Sequence, residues 1–513
     1  MKRWEIQSKS KSKIQSAEDI VKILFENRSL KSKKEIEAFL RPPEPFTLTS
    51  DDVGIQDVSL KKAVVRIKKA IKGKESIVVY ADYDADGITA GAVMWESLYR
   101  LGANVMPYIP HRVEEGYGLS TKGIDAVRET FNPELIITVD HGITAWEKVD
   151  YAKSLGIDVI VTDHHVKPKK LPQCLIVHTT KLSGAGVSWF LAKEVTKSDD
   201  RELVALAAIG TIADMVPLIG PNRSIAKYGL ASLNKTKRVG LDALIADAGL
   251  QKGDLGTYDV SHMIAPRLNA MGRLEHALDA LRLLCTRRTD KATLLAQKLG
   301  LTNRERQQLT TDTVLHAMEQ VKLQGKEVRK KLLFITHETY NQGVIGLVAG
   351  RLVEMYYRPA IVVAKGEQYS KASARSIAGF NIVEAIRQFS DILVDVGGHP
   401  MAAGFTVETK HLKDLQGRLE KLAERELDEE KLMRKLRVDA EISLRFVSEQ
   451  SWRKIQEFAP FGFGNPEPVF STRGVSMQDV RLVGKDGKHL KLSVGQSGVS
   501  LSAIAFSLGD LYR

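Results

Sequence analysis

Between about residues 61 and 220, short apolar β-branched runs alternate with stretches of helical period, and three of the runs end in acidic residues. Residues 77–80, 105–109, 135–139 and 159–161 read as buried strands, and 89–101, 122–130 and 145–155 as helices between them. Strand and helix in turn predict a parallel sheet with helices on both faces. Such sheets place ligands at the carboxyl ends of their strands. Those ends carry Asp82-Tyr83-Asp84-Ala85-Asp86-Gly87, then Asp140-His141-Gly142, then Thr162-Asp163-His164-His165.

Three alternating carboxylates repel one another unless a cation neutralises them, and hard divalent cations prefer oxygen ligands. Taken alone, the run fits a solvated acidic loop equally well. A calcium loop fits less well, because the twelfth position from Asp82 is Val93 and not the bidentate Glu such loops use. One Asp at a strand end is common; three such strands, one bearing a His pair, are not. Asp214 is a lone charge in the small, apolar stretch 210–217, so it is expected to face a cation. The candidate ligands are therefore Asp82, Asp84, Asp86, Asp140, the Asp163-His164-His165 triplet and Asp214. They exceed the needs of one ion and predict two, about 4 Å apart and sharing an Asp. Mixed carboxylate and imidazole ligands favour Mn²⁺ or Mg²⁺. Such a pair lowers the pKa of a water and clamps a phosphate, so no protein nucleophile is required.

Other groups suit phosphate. Ser373 and Arg375 place a hydroxyl and a guanidinium close together in 371–376. Gly397, Gly398 and His399 open a small-residue turn over 397–404, where backbone can approach a ligand; a tight packed turn fits that pattern as well. Gly184 lies in another small loop. Arg267 and Arg273, with Asn269 between them, offer bidentate phosphate donors. Arg112 alone reads as a surface residue.

At 513 residues and roughly 150 per domain, three or four units are expected. Residues 1–60 read as a helical preface, with helices at 17–27 and 33–40 stopped by Pro42, Pro43 and Pro45. Residues 61–220 form the alternating domain. Residues 221–328 read as a helical connector, with one long charged helix over 294–328 broken near Gly300. Residues 329–425 return to alternation as a smaller α/β domain. Residues 426–513 read as a charged helix (the charged stretch runs over 410–436) followed by strands. The net charge of +12 and pI near 9.3 attract polyanions, nucleic acid above all. A basic protein without such a partner stays open on charge alone, and 6% aromatics limit base-stacking platforms. No apolar run approaches the ~20 residues of a membrane span. The Lys-rich start lacks a signal-peptide core. Cys174 and Cys285 lie far apart and read as buried thiols of a reducing cytoplasm.

Taken in order, these motifs resemble the DHH phosphoesterase superfamily and, within it, the RecJ family of single-strand exonucleases. The residues that carry the resemblance run along nearly the whole chain. They are DYDADG at 82–87, IPHRVEEGYGL at 109–119, VDHGIT at 139–144, TDHH at 162–165, SGAGV at 183–187, GTIADMVPL at 210–218 and APRLNAMGR at 265–273. Further on come GVIGLVAGRL at 343–352, SARS at 373–376, GGHPMAAG at 397–404, PFGFGNPEP at 460–468 and HLKL at 489–492. The resemblance implies an α/β fold: a parallel-sheet DHH domain, a long helical connector, a smaller α/β DHHA1 domain and an OB-like C-terminal domain. A five-stranded OB barrel begun near 437 is expected to run past Arg513, so this last domain is expected to be cut short.

The implied activity is 5′-to-3′ hydrolysis of single-stranded DNA to mononucleotides with Mn²⁺ or Mg²⁺, in recombination and repair. The resemblance assigns metal to Asp82, Asp84, Asp86, Asp140, His164 and Asp214, with His165 as a neighbour or phosphate contact. Arg112, Ser373 and Arg375 are implied to hold the DNA 5′ end or nearby phosphates, and Arg267, Asn269, Arg273 and His399 to sit near the scissile phosphate. A helicase and a single-strand-binding protein are the implied partners, and a monomer is expected. Three rivals are weighed. A phosphodiesterase for cyclic dinucleotides or short oligonucleotides would generally lack the long connector. A non-catalytic DNA-binding scaffold would have eroded ligands, and none is missing here. A manganese pyrophosphatase fits neither the length nor the charge.

Overall fold

The structure is a computed structural model that describes residues 3–8, 14–112, 114–323 and 330–512. It divides into two compact units: Thr49–Asp214 with Tyr228–Arg434, and Arg3–Leu48 with Met215–Lys227 and the chain from Lys435 onward.

In the first unit, five parallel strands lie in the order Asn104–Tyr108, Ser76–Ala81, Leu135–Val139, Asp158–Asp163 and Leu175–His178. Val, Ile and Leu dominate because the central strands are buried on both faces. Helices Thr121–Phe131 and Trp146–Ser154 cover one face through Ile124, Val127, Val149 and Ala152. Helix Ala85–Arg100 packs against helices Gly184–Thr196 and Arg201–Ala213. It is buried nearly all round, which its Ala and Gly residues permit. The first strand lies between the second and third, so strand order reverses at its edges. That is the switch-point topology in which a crevice opens at the strands' carboxyl ends.

Helix Thr289–Leu323 is continuous through Gly300. The expected break is absent because Gly300 fills a packing role: a Cβ there would come 2.1 Å from Asp247 Oδ2. At about 1.5 Å per residue the helix spans roughly 50 Å. The rest of the predicted helix to 328 lies outside the described residues.

The helix leads to a mixed sheet ordered Leu393–His399, Ala402–Glu408, Tyr369–Arg375, Ala360–Ala364, Leu333–His337. The last two strands are parallel; the others pair antiparallel. Leu333–His337 and Ala360–Ala364 contribute to cores on both faces. The other three strands bury only Ala372, Ala374, Ala403, Phe405 and Val407 against one core. The charged helix Leu412–Glu426 belongs to this domain and not to residues 426–513. Its Leu412, Leu415, Leu419 and Leu422 form an apolar stripe that packs on the sheet.

In the second unit, helices Ala17–Asn27 and Lys33–Leu40 form as expected, each closed by a capping box. The segment 1–60 is not helical throughout, because the strand Arg3–Ile6 pairs in parallel with Lys435–Val438. A four-residue strand whose partner lies more than 400 residues away leaves no local signal. Phe458 stacks on Phe25 at 4.7 Å and meets Phe39 edge-on. Beside them the buried Arg223 guanidinium donates to the carbonyls of Phe39, Phe458, Ala459 and Pro460. Strands Ser476–Val483, His489–Gln496 and Val499–Ala505 form an antiparallel sheet. Among the described residues, no helix is long and apolar enough to cross a membrane.

Candidate metal centre and substrate cleft

The turn after the first strand carries Asp82 and Asp84, and helix Ala85–Arg100 begins there. Asp84 caps that helix by accepting from the amides of Asp86 and Gly87, each at 3.0 Å. The amide of Ala85 donates to Asn269 Oδ1 at 2.8 Å. Asp86 faces the start of helix Gly184–Thr196, whose Gly184 and Ala185 amides donate to its two oxygens at 2.7 and 2.9 Å. A helix N-terminus is a favourable place for a carboxylate.

Asp140 follows the third strand with φ +68°, a strained conformation for a residue with a Cβ. Its Oδ1 lies 3.2 Å from His164 Nε2, yet it is buried with no hydrogen-bond partner. His164 Nε2 is also 3.5 Å from Asp214 Oδ2 and 4.0 Å from Asp86 Oδ2.

Donor atoms of Asp82, Asp84 and Asp140 lie within 4.8 Å of one another, and so do those of Asp86, His164 and Asp214. A third group links Asp140 with His164 and His165. Burial and mutual repulsion push Asp82 and Asp140 well above the ordinary carboxylate range, Asp86 up to about 7 and Asp214 up to about 9. Burial also holds His164 down at about 4, as a neutral imidazole. Acids that cannot all ionise bare, one orphaned oxygen and a neutral imidazole are what hard divalent cations satisfy. The residues fit two such ions.

Asp163 departs from the expected ligand set. Its oxygens accept from the amides of Ile143, His164 and His165 and from His165 Nδ1 at 2.7 Å. Burial opposes its charge, but the His165 bond outweighs it and keeps Asp163 below its ordinary range. His165, opposed by its own burial, is raised by that bond to about 9 and stays protonated. Asp163 thus orients and charges His165.

These groups open into a cleft of about 1310 Å³ between the two α/β domains of the unit. His399 of the second domain stacks on His165, with ring centroids 5.9 Å apart and planes 15° apart. Gly397, Gly398, Ser373, Arg375, Arg273 and Arg112 also line the cleft. Arg375 Nη1 donates to Ser373 Oγ and the Ala374 carbonyl. Arg273 is lowered to about 10 by burial and by the charges of Arg112, Arg306 and Arg375. No carboxylate lies within ion-pair distance of Arg112, Arg273 or Arg375 among the described residues, so this cationic cluster calls for an anion.

Three expected substrate contacts lie elsewhere. Arg267 pairs with Asp247 at 3.0 Å and holds the carbonyls of Asp247 and Met263. Asn269 supports the acidic turn through Ala85. Gly184 supports Asp86, and a Cβ there would come 2.2 Å from Asp140 Oδ1. Its glycine therefore makes room for a ligand-bearing carboxylate and not for substrate. Tyr83 and Tyr117 were not expected at the site. Arg112 lies over the Tyr83 ring at 4.9 Å, and Tyr117 meets Tyr83 and His165 edge-on. The glycines flanking Tyr117 were the signal available for it.

Comparison with known proteins defines the class. Residues 76–211 match the DHH family N-terminal domain, 329–425 the DHHA1 domain, and 438–513 the RecJ OB domain. Single-stranded-DNA-specific exonuclease RecJ of Bacillus subtilis is 37% identical over 99% of this chain, which spans 66% of that relative. RecJ of Salmonella typhimurium is 30% identical over 95% of this chain and 89% of its own length. The crystal structure of Thermus thermophilus RecJ with Mn²⁺ superposes with a TM-score of 0.83 at 30% identity, covering 98% of this chain and 74% of that one. The same protein has been solved with Mg²⁺. The chain belongs to the RecJ family.

Proposed function

We propose that the chain is a metal-dependent exonuclease that hydrolyses single-stranded DNA 5′ to 3′, releasing mononucleotides. The observation that carries this reading is one cleft lined by Asp82, Asp84, Asp140 and Asp214, with Asp86 and His164 grouped beside Asp214, and by three arginines that no carboxylate pairs among the described residues. On this reading Asp82, Asp84, Asp86, Asp140, His164 and Asp214 hold two Mn²⁺ or Mg²⁺ ions. Bound there, the metal supplies Lewis acidity at the scissile phosphate and lowers the pKa of water. Arg112, Arg273 and Arg375, with Ser373, bind the terminal phosphate and set the strand's polarity. His165 donates from Nε2 to a phosphate oxygen, since Nδ1 is committed to Asp163. His399, kept neutral by burial and by the His165 charge, closes the cleft over the same phosphate.

Residues 61–220 would then be the catalytic domain and 329–425 its substrate-binding partner, joined by 221–328. A scaffold role is disfavoured because every ligand position is filled. The test uses single strands labelled at either end, with Mn²⁺, beside cyclic dinucleotides. Early release of the 5′ label as a mononucleotide is expected. Preference for the cyclic substrate, or release starting from the 3′ end, refutes the reading.

A further inference from the structure

The second domain's wall of the cleft is an open sheet face, and its strand register orders the side chains into rungs. Arg375, Ala402 and His399 pair across the first rung, nearest the metal centre. Ser373, Gly404 and Gly397 form the second. Lys371, Thr406 and Asp395 form the third. All but Ala402 line the cleft.

The second rung is a furrow, and its glycines are not there for the fold. A Cβ on Gly397 would meet nothing within 4 Å, and one on Gly404 only the Ala372 carbonyl at 3.8 Å. Neither has the left-handed backbone that Gly398 shows at φ +139°. Paired exposed glycines weaken a sheet unless something approaches closely. Beyond the furrow stands Lys371. Its strand buries Ser370, Ala372 and Ala374 and turns Lys371, Ser373 and Arg375 to the cleft. No carboxylate pairs with Lys371 among the described residues, although Asp395 stands two strands away, about 10 Å off at ordinary strand spacing.

We propose that Lys371 is a second phosphate contact for the substrate strand, which crosses the furrow floored by Gly397 and Gly404. The inference rests on the single-strand reading above. At about 3.3 Å per residue, Lys371 stands roughly 13 Å from Arg375. A stacked strand rises about 3.4 Å per nucleotide and an extended one more, so this distance spans at most about four nucleotides. A dinucleotide, with its terminal phosphate on the arginines and its one internal phosphate at the metal centre, falls short of Lys371, and a longer strand that returns from the metal centre over the furrow reaches it.

The full-length protein is assayed with Mn²⁺ on 5′-phosphorylated thymidine oligonucleotides of two to twelve residues, at several salt concentrations. Lys371→Met is expected to raise KM for the twelve-mer about tenfold, leave the dinucleotide within twofold, and reduce the log–log salt slope by about one. Gly404→Val is expected to give the same length-selective penalty with an unchanged or higher Tm. Wild-type salt slope and KM at every length in Lys371→Met overturn the inference while leaving the exonuclease reading intact. An equal penalty on the dinucleotide also overturns it, as does a Tm loss in Gly404→Val. If the wild-type protein degrades no single strands, the broader reading fails, and this inference with it.

Discussion

Replacing Gly184 with Ala should cripple the metal centre without unfolding the protein. The new Cβ would stand 2.2 Å from Asp140 Oδ1, 2.4 Å from its Cγ and 2.5 Å from its Cβ. Ordinary contact begins at 3.4 Å, so one partner has to give by more than 1 Å. Gly184 is held through its amide on Asp86, which leaves Asp140 to move. Asp140 takes part in two of the candidate ligand groups, so its movement disturbs both. A misplacement of about 1 Å in a positioned catalytic group costs on the order of 100-fold in rate, or about 2.7 kcal/mol of barrier. Steady-state hydrolysis of a labelled single strand, titrated with Mn²⁺, should show kcat down about 100-fold and the Mn²⁺ midpoint shifted upward. Circular dichroism should be unchanged. Activity within threefold of wild type at an unchanged midpoint would refute the argument that this glycine exists to admit Asp140.

Asp140→Asn should abolish Mn²⁺-dependent nucleotide release. It should also lose most of the thermal shift that a bound ion gives, about 2.7 kcal/mol at a hundred times Kd, readable by melting with and without Mn²⁺. The metal-free protein should lose stability as pH rises from about 6.5 to 9, above the range in which the depressed His164 acts in the opposite sense. Asp86 and Asp214 stabilise the fold while protonated, and this is lost as pH climbs through about 7 and about 9. His165, raised to about 9, adds a loss above its ordinary 6.5. Mn²⁺ should flatten the Tm-against-pH curve, and parallel curves with and without Mn²⁺ would contradict the cluster's electrostatics. Arg223→Ala strands the Phe39 and Ala459 carbonyls, while those of Phe458 and Pro460 keep the Asn465 amide, and should cost about 3 kcal/mol in denaturant unfolding, with Arg223→Lys recovering less than half.

The acidic centre was legible because its ligands sit where the chain's own alternation ends: Asp82 to Asp86, Asp140 and His164 each follow a strand. Asp214 was found by the opposite signal, a charge where the surroundings are apolar. What the sequence hid were pairings made across distance. Asp163 looked like one more ligand, and only the approach of His165 Nδ1 shows that it serves the imidazole. Arg267 looked like a phosphate donor, but Asp247 on a neighbouring helix occupies it. Gly184 and Asn269 were recognised as belonging to the site, yet each acts on a neighbouring acid or its turn. The strand Arg3–Ile6 was missed for the same reason, since four residues cannot announce a partner at Lys435–Val438.

The sheet order also has a practical use. With the chemistry gathered at the carboxyl ends of the parallel strands, the turns entering their amino ends are chemically silent. Gly102 and Gly156 lie in two of those turns, and a side chain built on either would touch nothing within 4 Å. A dye, a biotin or a surface tether introduced by lengthening those turns would hold the molecule by its back and leave the cleft free to take a strand.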